Sequence, residues 1–184
     1  MSDPSEAAGI VDFWREAGRK AWFRRNPAFD EAIRNRFEAA HHAAARGERP
    51  GWIDTPRGAV ALLLLLDQVP RNLYRDSAHA FATDPLARAA ARAAIGRGHD
   101  RATEPALRLF FYLPFSHSED LADQLAGVRL TEALEREGGE SATSARRHLE
   151  TIRRFGRFPH RNAALGRETT AEEKAFLAGG GFAG

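Results

Sequence analysis

The sequence predicts an all-α fold of seven to nine helices, and three observations carry that reading. Every long segment repeats its apolar residues with a helical period, and none alternates like a half-buried strand. Alanine, a helix-favouring residue, supplies 35 of the 184 positions. Proline follows a polar residue at 3–4, 26–27, 55–56, 84–85 and 104–105, the pairing that opens a helix with a cap and a first-turn proline.

Asp3-Pro4 opens the first helix, whose apolar stripe is Ile10, Phe13 and Trp14. Asn26-Pro27 opens the second; Phe29, Ile33, Phe37 and Ala40 recur at four, four and three, and Gly47 stops it. Thr55-Pro56 opens the third, whose leucines at 62–66 point in every direction. A helix apolar all round is wrapped by neighbours, so this one is expected at the centre of the fold. It is expected to end near Val69, because Pro70 has no N–H and clashes with the preceding turn.

Asp84-Pro85 opens an Ala-rich helix reaching Ile95 and closed by Gly96 and Gly98. Glu104-Pro105 opens a short one over 107–112, broken by Pro114. Ser116 and Glu119 fit a capping box for a helix through Leu121, Leu125, Val128, Leu130 and Leu134. Gly138-Gly139 is a break before a helix over about 141–155. After an irregular stretch at 156–167, Thr170 and Glu173 form another capping box for a short final helix, and the tail 179–184 is expected to fray. Residues 1–184 read as one domain, with no clear internal repeat.

Composition narrows the function. With 27 basic and 25 acidic residues the net charge is +2, so bulk electrostatics will not hold the chain on nucleic acid or a membrane. Leu, Ile, Val and Phe total 38 of 184, just above the fraction of about 20% below which chains tend to disorder. The absence of cysteine excludes disulfides, thiolate zinc sites, iron–sulfur clusters and a cysteine nucleophile. Residues 1–9 carry two acids and no apolar stretch, unlike a secretory leader. The longest apolar run, 59–66, is eight residues against the roughly 18 needed to span a bilayer. A cytoplasmic protein is expected.

Three polar segments could carry chemistry. The first, Asp67-Gln68-Val69-Pro70-Arg71-Asn72, ends the leucine-rich helix and puts charged groups at the edge of the core, where each needs a partner. Asp67 and Arg71 would pair across one turn with Asn72 capping the exit, or the three would face a ligand. The second, Ser116-His117-Ser118-Glu119-Asp120 with Gln124, clusters imidazole and carboxylate at a helix start, where N–H groups favour an anion; the plainer reading is capping. His117 has no part in such a cap.

The third segment carries Arg153, Arg154, Arg157, His160, Arg161 and Asn162 around Gly156 and Pro159, and residues 146–167 sum to +6. The planar fork of arginine suits carboxylate or phosphate. Interleaved Phe155 and Phe158 could read as a nucleic-acid patch, but the modest total charge argues for pairing with acids on the same molecule. His148 lies four and seven residues before Ile152 and Phe155 and so faces the core side of its helix, as a hydrogen-bonded core histidine or as a site residue. His41, His42, His79 and His99 read as surface residues. No histidine sits at a recognisable metal-ligand spacing, and phosphate-loop, nucleophile-elbow and zinc-protease motifs are absent.

These segments resemble a family of bacterial proteins, the one numbered 924 among domains of unknown function. The likeness runs from Phe13-Trp14 and Trp22-Phe23 through Asp67-Gln-Val-Pro-Arg-Asn72 and Ala80-Phe-Ala-Thr-Asp84. It continues through Phe111-Tyr-Leu-Pro-Phe-Ser-His-Ser-Glu119 and Arg154-Phe-Gly-Arg-Phe-Pro-His-Arg-Asn162 to Leu165-Gly-Arg167 and the final helix. Val69 and Ser116 depart from the usual Phe and Met and leave the polar positions intact. The resemblance implies a tetratricopeptide-like stack of antiparallel helix pairs, and it implies no activity or cofactor.

The leading expectation is a helical protein with an Arg/His/Asn-lined pocket for a small anionic ligand. His117, Glu119 and His160 would be the acid/base groups of a hydrolase- or lyase-type enzyme. Asp67, Arg71, Asn72, Gln124, His148, Arg154, Arg157, Arg161 and Asn162 would bind the ligand, with no cofactor and no metal. The alternatives are a tetratricopeptide-like module for a peptide or protein partner, with an open groove, and a purely structural network with every guanidinium paired and no cavity. Oligomeric state is left open.

Overall fold

The computed structural model describes residues 4–182, and among them it contains helices and no strand. The α-helices are α1 (Pro4–Ala17), α2 (Arg19–Trp22), α3 (Pro27–Ala45), α4 (Pro56–Leu63), α5 (Val69–Leu73), α6 (Asp84–Gly96), α7 (Pro105–Ser116), α8 (Leu121–Arg136), α9 (Thr143–Phe155) and α10 (Ala171–Ala178). A π-helical stretch, Leu64–Gln68, joins α4 to α5 without a break, and 3₁₀ turns lie at Pro50–Asp54, Ala78–Phe81 and Pro159–Arg161. With the run 56–73 taken as one helix, the described residues hold nine, within the expected range.

The caps at Asn26, Thr55 and Thr170 form as the sequence suggests, whereas Glu104 precedes α7 without a side-chain cap bond and Asp84 is the first residue of α6 rather than its cap. Asn26 Oδ1 accepts from the N–H groups of Ala28 and Phe29 at 3.1 and 3.3 Å, and Thr55 Oγ1 from that of Gly58 at 3.1 Å. Thr170 and Glu173 make the reciprocal box, at 3.2 and 2.8 Å. The cap proposed at Asp3 lies outside the described residues.

The leucine-rich helix is central: Leu63, Leu64, Leu65 and Leu66 are buried, and the run 56–73 packs against α1, α3, α6 and α7. Trp14, Ile33, Phe110 and Phe111 join it in one core. It does not stop at Val69. Pro70 has no N–H to give Leu66 O, and the π-helical turn, by shifting Val69 N–H to Leu64 O, takes the donor from Leu65 O as well. Neighbouring side chains fill the two vacancies. His41 Nδ1 donates to Leu65 O at 2.8 Å and the Thr83 hydroxyl to Leu66 O at 2.6 Å. His41, expected at the surface, is therefore buried, whereas His42 and His79 are exposed and His99 half-buried.

Pro114 does not break α7, which runs through it to Ser116. The Ser116–Glu119 capping box does not form, since Ser116 still belongs to α7. Asp120 caps α8 instead, its carboxylate accepting from Asp123 N–H at 3.0 Å. Gly127 allows α8 to lie close on α7: a Cβ there would stand 3.1 Å from Ser116 Oγ and 3.2 Å from Phe115 Cβ. The tail is ordered by packing as far as Phe182, whose ring lies 4.2 Å from that of His148; residues 183–184 of the expected frayed segment lie outside the described residues.

Thr83→Val removes the donor to Leu66 O and leaves a buried carbonyl unsatisfied. It is expected to lower unfolding free energy by about 1–3 kcal/mol, read as a lower denaturant midpoint at unchanged m-value.

Candidate functional site

The site begins with one buried carboxylate. Asp67 sits in the π-helical stretch and is 1% exposed. Its Oδ1 lies 2.7 Å from His117 Nδ1 and 3.2 Å from Arg71 Nη1, and its Oδ2 accepts from Gln68 Nε2 at 2.5 Å. Burial raises its pKa, but the charges of Arg71 and the hydrogen bonds from His117 and Gln68 outweigh it, so Asp67 is held well below the usual carboxylate range. Opposite an ionised carboxylate, His117 Nδ1 must carry the proton. Burial and the Arg71 charge also lower the His117 pKa, which leaves a neutral ring with its lone pair on Nε2.

Around this pair the charges balance. Arg71 also binds Asp84, with Nη2 donating to Oδ2 at 3.0 Å and Nη1 2.8 Å from Oδ1. Arg161, from the third segment, reaches the same carboxylate at 3.5 Å. Its guanidinium is clamped between the rings of Phe81 and Phe158, 4.5 Å from each centroid. Burial and repulsion from Arg71 pull Arg161 down to about 10, so it stays charged at neutral pH.

Above these groups opens a cavity of about 610 Å³. Its walls include Arg71, Arg161, His117, His148 and His160, with Trp22 at one side and Phe182 at another. His148 Nδ1 donates to Ser144 O at 2.7 Å, and burial drives its pKa to about 3. Burial, then Arg161, lowers His160 to about 4, and its Nδ1 makes no hydrogen bond within the protein. Three neutral imidazoles thus face two compensated arginines. Arg24 and Arg25 stand at the exposed rim, adding positive potential at the mouth.

The structure brings Asp67, Arg71, His117, His148, His160 and Arg161 together. Asn72 lies on the cavity wall but donates to Asp30 Oδ1 at 2.8 Å. The others stand apart. Glu119 accepts from Phe158 N–H at 2.8 Å and pairs with Arg167 at 2.7 Å. Gln124 is buried, donating to the carbonyls of Ser116 and Ser118 at 2.7 and 2.6 Å, where it ends α7. Arg157 forks onto Glu173 at 2.7 and 2.9 Å; Asn162 donates to the same carboxylate at 3.2 Å and accepts from Arg167 at 3.0 Å. Arg154 pairs with Glu172 at 2.9 Å on the surface. These side chains clamp the loop 156–167, and the clamp presents His160 and Arg161 to the cavity.

Sequence reasoning gives no site role to Gln68, Asp84, Phe81, Arg24 or Phe182. Asp84 reads as a cap, because Asp before Pro marks a helix start; its partners lie 13 and 77 positions away in the chain. Among the described residues, no group of three or more His, Asp or Glu is arranged to hold a metal ion, and no helix is long and apolar enough to cross a membrane.

Fold and site together define an all-helical protein built around a polar cavity with a charge-balanced floor. The family described as "Bacterial protein of unknown function (DUF924)" matches residues 10–181, and the chain belongs to that family. The chain is similar to a solved structure of a protein of unknown function from Agrobacterium tumefaciens, with a TM-score of 0.90 and 52% identity over 94% of this chain and 97% of that one. No curated protein matches it.

Two outcomes follow from this arrangement. Unfolded histidines titrate near 6.5, whereas His148 and His160 do so at about 3 and about 4 in the fold. The unfolded chain therefore binds more protons, and stability falls as pH drops below about 6.5, by ~2 kcal/mol at about pH 5 for His148 alone. Urea melts at the two pH values check this, and His148→Gln should flatten the difference. Arg157→Ala, by freeing buried Glu173, should lower the melting temperature, read by thermal denaturation followed by circular dichroism.

Proposed function

We propose that the cavity binds a small organic anion and that His117, oriented by Asp67, acts on it as a general base, in chemistry of the hydrolase or lyase type. One observation carries the reading: the His117 Nδ1–H is fixed 2.7 Å from an ionised, fully buried carboxylate, on the wall of a cavity that also holds Arg71 and Arg161. With Nδ1 committed, Nε2 is the free base, and the lowered His117 pKa keeps it unprotonated at neutral pH. Arg71 and Arg161 are preorganised by Asp84 and by the Phe81–Phe158 sandwich, so they can meet negative charge on a substrate without rearranging. His160, with an unpartnered Nδ1, is the second group available for proton transfer.

A tetratricopeptide-like peptide module is the weaker reading. It calls for an open groove of small and polar residues, whereas the polar groups here line a histidine-rich cavity walled by Phe182.

The test uses the full-length chain, with calorimetry and Trp22 fluorescence against carboxylates and phosphate monoesters, and turnover of carboxylate-bearing esters. Arg161→Lys keeps the charge but loses the fork and is expected to weaken binding about tenfold or more. His117→Asn keeps an N–H for Asp67 but has no Nε2; it is expected to bind and not turn over. Failure of the wild type to bind any anion of the panel, or full turnover by His117→Asn, would sink the proposal.

A further inference from the structure

A second cavity, of about 410 Å³, lies beside the first, bounded by α2, α7, α8 and α9. The two share the walls Phe23, Arg24, Leu113, Ser144 and His148. Their chemistry differs. Beyond the shared wall the second is lined on its inner side by Leu109 and Ala145 together with Ser116 and Thr131, all buried, and at its outer end by Arg19, Lys20, Glu140 and Ser141; no charged side chain of the Asp67 network reaches it. The two cavities thus meet at a common wall that includes His148.

The junction suits passage of a neutral chain. His148 is held uncharged by burial, its Nδ1–H spent on Ser144 O at 2.7 Å, and Leu113 presents an apolar surface to both sides. Arg24, which also borders both cavities, is exposed and forms no hydrogen bond or ion pair among the described residues. At the outer end Arg19 is neutralised by Glu140, which removes the one acid that would repel an anion there.

We infer that the ligand is an amphipathic anion, with a carboxylate or phosphate head at Arg71 and Arg161 and a linear aliphatic tail that passes His148 into the Leu109–Ala145 cavity. The inference rests on the anion-binding reading above and adds the class of ligand. One fact selects a tail over a second polar group: the inner wall offers the methyl and methylene surface of Leu109, Leu113 and Ala145, and the Nδ1–H of His148 and the buried hydroxyl of Thr131 (bonded to Gly127 O at 2.8 Å) are already committed within the protein.

The experiment titrates the full-length chain with two homologous series, straight-chain carboxylates and alkyl phosphates, from short to medium length, following Trp22 fluorescence and heat. Each methylene entering the second cavity is expected to tighten binding about fourfold until the space is filled. The series that binds identifies the head group. Ala145→Leu and Ser116→Met occupy the second cavity and are expected to abolish the gain with length while leaving the shortest member bound as in wild type. Should either variant fail to fold, Leu113→Ala serves instead, widening the junction and extending the length at which the gain stops.

Binding of short anions with no dependence on length, or a gain with length unaltered by the filling and widening variants, overturns the tail site and leaves the anion site standing. Absence of binding by both series at every length overturns both.

Discussion

A single ionised carboxylate, Asp67, sits where the leucine-rich core ends, and the surrounding structure is arranged to make that tolerable. A charge this deep costs several kcal/mol unless its lone pairs are met. Gln68 and Arg71 come from the same helix, His117 from the end of α7, and Asp84 with Arg161 extend the pairing to the start of α6 and to the 156–167 loop. Removing any partner would leave an uncompensated buried charge, so the network fixes the relative positions of four elements.

The same helix shows how a proline can be useful inside an apolar run. Pro70 forces a π-helical turn, the turn swings Asp67 and Gln68 inward at the core's edge, and the freed carbonyls recruit His41 and Thr83 from flanking elements. π-helical turns concentrate at functional sites because they aim side chains where a regular helix would not. Here the turn holds Asp67 beneath His117.

The arginine-rich third segment divides its labour. Arg157 and Arg167, with Glu119, Asn162 and Glu173, form a clamp whose members are paired with one another. Glu173 is drawn down to about 2 by the Arg157 guanidinium and the Thr170 N–H, so the capping box of α10 and the clamp share one carboxylate. Arg161 and His160 stand between clamp residues and project the other way. A stable loop is what allows two polar side chains, next to each other in sequence, to be held against a cavity rather than in solvent.

Periodicity and cap chemistry are local properties. The helical class, the central position of the leucine helix and the caps at Asn26, Thr55 and Thr170 follow from residues within one or two turns of each other, and these were legible in the chain alone. So were the three segments from which the polar groups come. The division between those that face the cavity and those that clamp a loop was not. Asp84 reads as a cap residue, Glu119 as half of a capping box and Phe182 as part of a loose tail, until partners from distant positions are in view. Whether a carboxylate caps, clamps or orients an imidazole is set by which opposite charge lies within about 3 Å, and only the packing of the helices decides that distance.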